Sequence, residues 1–259
     1  MNSKSGLMAG KRGLIMGVAN DRSIAWGIAK AVHDAGAEVA FTYQGEALQK
    51  RVKPLAESLG SNLVVPCEVT DDASLDATFD AVKKAWGTLD FVVHAIAFSD
   101  KEELKGKYVT TSRANFQQTM DISCYSFTAV AERARHLMPG GGSMLTLSYF
   151  GAERVMPHYN VMGVAKAALD SSVKYLAWDL GAKNIRVNAI SAGPVRTLAA
   201  RSIAGFPTME AIVEERAPLH RPIAAEDVGA AAGYLLSDDA ANVTGTTLYV
   251  DSGYHAMGM

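Results

Sequence analysis

The sequence predicts one α/β domain built on a doubly wound parallel sheet of about seven strands, with helices on both faces. Three observations predict it. Apolar, β-branched runs recur along the chain, helix-length amphipathic stretches separate them, and no Pro- or Gly-rich linker or internal repeat divides the 259 residues. Several runs are apolar on both faces, which is typical of strands covered on both sides. Alternation repeated this often implies parallel strands joined by right-handed crossovers.

The predicted elements follow in chain order. The strands cover residues 13–18, 38–43, 62–65, 91–96, 143–147, 185–190 and 246–250. Between them, apolar side chains recur at helical spacing and form stripes that would face the sheet. One stripe comprises Ile24, Ile28, Ala31, Val32 and Ala35, and another comprises Leu75, Phe79, Val82 and Trp86.

A long excursion follows the sixth strand. It contains Pro207, Pro218 and Pro222 and delays the next predicted regular helix to about 225–236. Such an excursion at the carboxyl end of a strand is where a binding lid lies. We therefore expect a single domain over residues 1–259, with a substrate-binding lid at about 194–222. The alternative for residues from about 197 to 213 is a short helix packed on its own domain.

Composition and charge narrow the class of protein. Hydrophobic residues make up 49% and charged residues 20% of the chain, and the formal net charge of −2 favours neither nucleic acid nor an anionic membrane as partner. The first residues lack the apolar core of a signal peptide and no apolar run reaches the length of a membrane span, so we expect a cytoplasmic protein. Cys67 and Cys124 lie in apolar segments without CxxC spacing and are predicted to be buried free thiols.

The first strand leads into a candidate phosphate-binding turn. Gly17 stands at its exit, and a helix follows near Ser23 and Ile24. Glycine lets the backbone approach a ligand, and a helix amino terminus offers N–H groups to a pyrophosphate. The spacing G-x-G-x-x-G is absent, so by spacing alone a capped β–α turn is an equal interpretation. Its position in the first β–α turn favours a Rossmann-type dinucleotide site.

The loops after the second and third strands bear on the choice of cofactor. Gln44 and Glu46 follow the second strand, and the first cation is Lys50. A loop without a nearby cation is poorly suited to the 2′-phosphate of NADP, so NAD is favoured. Glu68 and Val69 follow the third strand, where they would meet the adenine amino group and ring; the alternative is that Glu68 is a solvated loop acid.

Two tyrosines and a lysine form the candidate catalytic group. Tyr149 and Tyr159 are ten residues apart, and Lys166 follows the second by seven. Seven helical residues are about two turns, so Tyr159 and Lys166 share a face roughly 10 Å apart along the axis. A nearby ammonium favours the phenolate and would make the tyrosine a better proton donor to a developing oxyanion. The alternative is a surface tyrosine and lysine on an amphipathic helix.

Longer motifs give these residues a family context. They are Gly-Val-Ala-x-x-x-Ser-Ile-Ala-x-Gly at 17–27, Phe-Thr-Tyr-Gln at 41–44, Leu-Thr-Leu-Ser-Tyr-x-Gly-Ala-Glu-Arg at 145–154, Tyr-Asn-Val-Met-Gly-x-Ala-Lys at 159–166, and Arg-Val-Asn-Ala-Ile-Ser-Ala-Gly-Pro-x-Arg-Thr-Leu-Ala at 186–199. Over nearly its whole length the chain resembles the enoyl-acyl-carrier-protein reductases of bacterial fatty-acid synthesis, a divergent branch of the short-chain dehydrogenases/reductases. Ordinary members of that superfamily have their tyrosine and lysine four residues apart.

The resemblance implies an NADH-dependent reduction of the trans-2 double bond of an enoyl thioester carried on acyl carrier protein, performed by a homotetramer. Tyr159 would stabilise the enolate oxygen, Lys166 would hold the nicotinamide ribose, and Tyr149 would contact the substrate near the thioester. The implied cofactor-binding residues are Gly17, Ser23 and Ile24 for the pyrophosphate, Gln44 for the ribose, Glu68 and Val69 for the adenine, and Ile96, Val195, Arg196, Thr197, Leu198 and Ala199 for the nicotinamide half. The implied substrate-binding residues are Ser99, Tyr149, Tyr159, Met162 and Phe206.

The chain also departs from the family pattern. Ala97 occupies a position where the family usually has glycine, so the added methyl should narrow the space beside the nicotinamide. Trp26 occupies a position where the family usually has tyrosine. The carrier protein is acidic, so a basic lid would suit it. The predicted lid has only Arg196 and Arg201 as cations at its start.

Two other functions stay open at this point. One is a carbonyl–alcohol short-chain dehydrogenase, which the seven-residue spacing disfavours. The other is a regulator that binds NAD without turnover, which the intact tyrosine–lysine pair disfavours. We expect no metal site. His94 is predicted to be a core residue and His158 a residue at the start of a helix, and neither has other ligand-type residues at the spacing of a metal site. The absence of a Gly-x-Ser-x-Gly elbow weighs against a hydrolase.

Overall fold

The architecture is one seven-stranded parallel sheet. The computed structural model describes residues 6–197 and 206–258, except for the side chains of 206–208. The strand order is β3-β2-β1-β4-β5-β6-β7, and every neighbouring pair is parallel. The strands are β1 Arg12–Met16, β2 Glu38–Tyr43, β3 Val64–Pro66, β4 Phe91–His94, β5 Gly142–Ser148, β6 Ile185–Ala192 and β7 Thr247–Val250. The predicted fold class and all seven strands are confirmed, with ends shifted by two residues at most.

Helices connect the strands and cover the sheet. They are α1 Ile24–Asp34, α2 Gly45–Ser58, α3 Asp72–Trp86, α4 Lys101–Leu104, α5 Arg113–Met120, α6 Ser126–Ala134, α7 Asn160–Gly181, α8 Phe206–Arg216 and α9 Ala225–Leu236. A π-helical turn, Asp121–Tyr125, joins α5 to α6 without a break. The helix predicted at 225–236 is confirmed to the residue.

Two hydrophobic clusters lie on opposite faces of the sheet. One contains buried side chains of α1, α2, α8 and α9, and the other contains those of α3, α6 and α7. The strands contribute alternate side chains to each, so that Ile15 lies in the first cluster and Leu14 in the second. This two-sided burial explains why the strand sequences are apolar without alternation.

The segment after β6 departs from the prediction. The next regular helix was predicted at about 225–236, with a short packed helix before it only as the alternative, yet α8 covers Phe206–Arg216. Pro207 is its second residue, and proline is compatible with the first turn of a helix, where its missing N–H would have no partner in the helix. Val213 and Ala217 are buried in the first cluster. The proline that indicated a loop therefore marks the start of a helix that packs on the domain.

Candidate active site

Several of the residues predicted to be functional follow the carboxyl ends of β1, β4, β5 and β6, and Gln44 and Glu68 follow β2 and β3. The chain passes from β1 outward through β2 and β3, then crosses to β4 on the other side of β1. The crevice where strand order reverses is where ligands bind in open α/β sheets. Gly17, Ile96, Tyr149 and Val195 each follow one of these four strands closely.

Glycine allows the β1–α1 turn to pack closely on the chain that follows β4. Gly17 has φ of +99°, and a Cβ there would lie 2.0 Å from the carbonyl oxygen of Ala95. Only glycine fits this position. The Ser23 hydroxyl accepts hydrogen bonds from the backbone N–H groups of Ala19 and Asn20, each at 3.0 Å, and does not cap α1. Ser23 therefore shapes the turn, while the amino end of α1, beginning at Ile24, has no side-chain cap.

The loops after β2 and β3 are joined by side chains. Gln44 Nε2 donates to Glu68 Oε2 at 2.5 Å, and Thr70 donates its N–H and hydroxyl to Glu68 Oε1 at 3.2 and 2.9 Å. Burial acts to raise the pKa of the Glu68 carboxyl, but the bonds from Gln44 and Thr70 bring it below its ordinary value. Val69 is buried in the second hydrophobic cluster. Gln44, predicted for the ribose, and Glu68, predicted for the adenine, are thus hydrogen-bonded to each other, and the pair carries the negative charge of Glu68.

The two tyrosines pack against each other. Tyr149 follows β5 and Tyr159 precedes α7, and their ring centroids are 4.9 Å apart with an interplanar angle of 66°. Tyr159 is 8% exposed and shares a small apolar cluster with Leu104 and Met162. The Tyr149 hydroxyl donates to Met209 Sδ of α8 at 2.8 Å. The structure therefore brings Tyr149, Tyr159 and Met162 together, and Tyr149 also contacts α8.

Lys166 lies two turns along α7 and is 6% exposed. Its Nζ donates to the backbone oxygen of Leu147 in β5 at 2.6 Å. Burial lowers the pKa of Lys166 to about 8, although Asp170 and Cys124 act to raise it.

The expected lowering of the Tyr159 pKa by this ammonium is not seen. Burial raises the pKa of Tyr159 well above its ordinary value, and Tyr149 and Asp170 add to the rise. Burial likewise raises the pKa of Tyr149, with a further contribution from Tyr254. Lys166 points to the β5 backbone, so burial and not the ammonium governs both phenols, and both hold their protons at neutral pH.

Residue spacing alone did not identify Gly163 and Asn160, two residues that shape the site. A Cβ on Gly163 of α7 would lie 2.7 Å from the backbone oxygen of Gly151, so glycine allows the turn after Tyr149 to approach the helix. Asn160 Nδ2 donates to the carbonyls of Leu104 at 3.1 Å and Gly106 at 2.8 Å, which ties α4 to the start of α7. Both residues stand inside the quoted motif at 159–166, which was the available signal.

The loop after β4 is held by a polar network. The Ser99 hydroxyl exchanges hydrogen bonds with the Asn115 amide at 3.2 and 3.3 Å and accepts one from Thr119 at 2.9 Å. Ile96 is half-buried against the second cluster, and Phe98 is 48% exposed. Ser99 thus anchors the loop, and the exposed apolar side chain beside the site is Phe98.

The chain after β6 is linked to α8 by charge. Arg196 Nε donates to both carboxylate oxygens of Glu210, at 2.7 and 2.9 Å. Val195 is buried, and the Thr197 N–H bonds to the Val195 oxygen at 2.7 Å. Leu198 and Ala199 lie outside the described residues. Phe206 begins α8, but its side chain is likewise outside the description.

Other expectations can be compared with the structure. His94 is fully buried, and His158 is exposed just before α7, as predicted. Cys67 and Cys124 are buried free thiols, which confirms that prediction. Among residues 6–197 and 206–258, no cluster of three side chains suited to a metal ion occurs, and no helix there is long and apolar enough to cross a bilayer.

Comparisons with known proteins agree on one family. A family model described as enoyl-(acyl carrier protein) reductase matches residues 17–255. The enoyl-acyl-carrier-protein reductase (NADH) 1 of Rhizobium meliloti is 63% identical over 100% of this chain and 95% of its own length. The enoyl-acyl-carrier-protein reductase of Anaplasma phagocytophilum in complex with NAD has a TM-score of 0.95 at 61% identity, covering 98% of this chain and 97% of that one.

A second solved structure extends the comparison. The Bacillus cereus enoyl-acyl-carrier-protein reductase with NADP+ and indole naphthyridinone has a TM-score of 0.97 at 52% identity, covering 98% of this chain and 100% of that one. The family match spans most of the chain, and these relatives are more than half identical over nearly their whole length. The protein therefore belongs to the enoyl-acyl-carrier-protein reductase family.

Proposed function

We infer that this protein is an NADH-dependent enoyl-acyl-carrier-protein reductase, which reduces the trans-2 double bond of an enoyl thioester to the saturated acyl thioester in the last reductive step of fatty-acid elongation. The observation that carries this inference is that Tyr149 and Tyr159 pack against each other. Lys166 is buried in α7, the helix that begins directly after Tyr159. It stands at the strand ends where a dinucleotide-binding sheet places its ligand.

The residues present fit a dinucleotide. The tight β1–α1 turn, in which Gly17 lies against the Ala95 backbone with no room for a Cβ, leads to the uncapped amino end of α1, and that helix end suits a pyrophosphate. In our proposal the remaining contacts come from Gln44 to the ribose, Glu68 and Val69 to the adenine, Lys166 to the nicotinamide ribose, and Ile96, Val195, Arg196, Thr197, Leu198 and Ala199 to the nicotinamide half. When bound, the cofactor supplies the hydride that adds to the β-carbon of the enoyl group.

Tyr159 acts in this scheme as a hydrogen-bond donor. Hydride addition places negative charge on the thioester oxygen, and a phenol that keeps its proton can donate to that oxygen. Burial keeps Tyr159 protonated at neutral pH because it raises the pKa of the phenol. The buried Lys166 ammonium adds positive charge to the same region and binds ribose hydroxyls.

The acyl group occupies the apolar side of the site. Tyr149 and Met162 line this side together with Tyr159, and we assign Ser99 and Phe206 to it as well. Tyr149 also contacts Met209 of α8. Closure of the segment 194–222 over the substrate would exclude water from the reacting atoms. In this proposal the chain is a single NAD-binding domain over 1–259, and the lid belongs to it.

A substrate comparison tests the function against its rivals. Purified protein is given NADH with crotonyl thioester or with acetoacetyl thioester, and NADH oxidation is followed. The proposal expects turnover with the crotonyl and not the acetoacetyl compound, with butyryl thioester as product. Turnover of the acetoacetyl thioester alone would indicate a carbonyl reductase. NADH binding without turnover of either compound would indicate a nucleotide-binding regulator.

We further propose a homotetramer in the cytoplasm. One face of α7 exposes side chains at helical spacing, namely Val164, Ala167, Ser171, Tyr175 and Trp178. Tyr175 and Trp178 are 72% and 84% exposed. Exposed aromatic residues on one face favour burial between copies in a closed symmetric assembly. Light scattering should give the mass of four chains, and a monomer at micromolar concentration would contradict this.

A further inference from the structure

A buried ammonium needs a compensating charge. Lys166 is 6% exposed, and its hydrogen bond to the Leu147 oxygen supplies a dipole but no charge. Moving an ammonium out of water costs several kcal/mol unless an opposite charge lies near it. The residue that stabilises this cation is therefore part of the machinery that prepares Lys166 for its ligand.

Asp170 is placed to supply that charge. It lies four residues after Lys166, so the two side chains occupy the same face of α7, about 6 Å apart at Cβ. Asp170 Oδ1 is buried and has no hydrogen-bond partner among the described residues. The hydroxyl of Ser148, the residue before Tyr149, is also buried, and although no hydrogen bond of standard geometry joins it to Asp170, it acts to lower the pKa of that carboxyl. Unpaired buried oxygens of this kind are rare unless another interaction compensates them.

The other groups around the pair do not replace this carboxylate. Facing Lys166 are His94 of β4, which burial keeps neutral by lowering its pKa to about 3, and Cys124 of the π-helical turn, whose thiol pKa is raised by burial. Neither carries charge at neutral pH.

The groups that face Asp170 itself point to the same pairing. They are Ser148 of β5, Lys166 and Lys174 of α7, Glu153 of the turn after β5, and Tyr159, whose pKa Asp170 acts to raise. Burial raises the pKa of the Asp170 carboxyl, while the Ser148 hydroxyl and the Lys166 ammonium oppose that rise. Glu153 and Lys174 are exposed and their charges offset each other. Asp170 is thus the one acidic side chain in direct electrostatic reach of the buried ammonium among the described residues.

We propose that Asp170 is a positioning residue for the reductase: with support from the Ser148 hydroxyl, its carboxylate keeps the buried Lys166 ammonium charged and ready to bind the cofactor ribose. This proposal rests on the function proposed above, because it acts through the lysine assigned to the cofactor. Asp170 itself touches neither cofactor nor substrate. Its loss should change the pH range over which NADH binds, while Tyr159 keeps its proton at neutral pH because burial, and not Asp170, is the largest cause of its raised pKa.

Binding measurements test the proposal. The NADH dissociation constant is measured from pH 6 to pH 10 for wild type, Asp170→Asn, Asp170→Glu and Asp179→Asn, an exposed acid near the end of the same helix. Wild-type affinity should fall above about pH 8, the pKa of Lys166. In Asp170→Asn this fall should begin about one pH unit lower, giving roughly fivefold weaker binding at pH 8 and roughly tenfold at pH 10. Asp170→Glu should restore the wild-type profile, and Asp179→Asn should match it.

A second readout does not depend on the proposed function. The Lys166 side chain is titrated by NMR in the protein without NADH, with Lys166→Met identifying its signal. The proposal expects a lower Lys166 pKa in Asp170→Asn, in samples whose melting temperature confirms folding. An unchanged Lys166 titration in that variant would overturn it. If the lysine titration shifts but wild type neither binds NADH nor turns over, the proposed function fails while the electrostatic role of Asp170 stands.

Discussion

Single residues in the site are governed by burial more than by their neighbours. Tyr149 and Tyr159 keep their protons because both phenols are buried, and Lys166 titrates near 8 for the same reason. A protonated phenol is a hydrogen-bond donor for an oxyanion, and an ammonium in the same region adds positive charge. The sequence motif placed Tyr159 and Lys166 along one helix, but the direction of the tyrosine pKa shift depends on packing that spacing does not reveal.

His94 makes stability depend on pH. Burial, with the charge of Lys166, lowers its pKa from 6.5 to about 3, so the folded protein keeps it neutral. As pH falls below 6.5, the unfolded chain binds a proton that the folded chain excludes, and the free energy of unfolding falls. We expect a loss of about 2 kcal/mol between pH 7 and pH 5 from this group, at 1.36 kcal/mol per pKa unit.

Urea titrations of wild type and His94→Gln across this pH range check the prediction. The variant cannot titrate at this position, so its stability should change less with pH. The control is His158→Gln, because His158 is exposed. Parallel pH profiles for wild type and His94→Gln would show that His94 is not the group responsible.

Gln44 and Glu68 should determine the choice of cofactor. Glu68 is ionised at neutral pH because bonds from Gln44 and Thr70 lower its pKa despite burial. A carboxylate near the adenosine ribose repels a 2′-phosphate, so kcat/KM should be at least about tenfold higher for NADH than for NADPH.

Steady-state kinetics with both cofactors measure this preference. Glu68→Gln should narrow the gap, while Glu57→Gln at the far end of α2 should leave it unchanged. Equal kcat/KM values in wild type would mean that a cation such as Lys50 or Arg51 reaches the 2′-phosphate. The Bacillus cereus relative crystallised with NADP+ makes this comparison worth performing.

At the scale of elements, α8 is tied to the site by two side-chain contacts. Arg196 after β6 pairs with Glu210, and Tyr149 donates to Met209. Both contacts join the helix to groups that we assign to cofactor and substrate. Ligand binding should therefore change how firmly α8 is held.

Hydrogen exchange measures this coupling. Amides of α8 should exchange more slowly with NAD and a substrate analogue than without them. Glu210→Gln should speed exchange in the free protein and raise KM for long acyl thioesters, whereas Glu215→Gln, on the same helix but outside the ion pair, should not. Equal, slow exchange with and without ligands would identify α8 as ordinary packed structure.

The elements differ in how far the sequence predicts them. Strands such as β2 were predicted to the residue because a short run that is apolar on both faces fits few structures other than a strand buried on both sides. The sequence did not favour a helix at α8 because Pro207 usually indicates a loop, although proline is tolerated in the first helical turn. The contacts Lys166–Leu147 and Arg196–Glu210 join residues 19 and 14 positions apart in sequence, and no periodic pattern predicts such pairs.

For the whole molecule, the parallel sheet brings four strand ends to one edge and so assembles a site from distant parts of the sequence. Gly17, Ser99, Tyr149 and Val195 all follow strands of this edge, because β1, β4, β5 and β6 are adjacent. The family match over residues 17–255 covers the same strands and nearly all of the helices. Fold and relatives support one function, in which we propose that Tyr159 is the donor to the oxyanion.

Single-turnover reduction of crotonyl thioester by Tyr159→Phe tests this central claim most directly. The enzyme is saturated with NADH, whose binding is measured separately, and the decay of NADH absorbance is followed. We expect NADH affinity to stay near wild type and the rate of hydride transfer to fall by about 10²–10³, as on removal of one oxyanion donor. Tyr175→Phe, an exposed tyrosine of α7, is the control. Reduction by Tyr159→Phe at the wild-type rate would contradict the account.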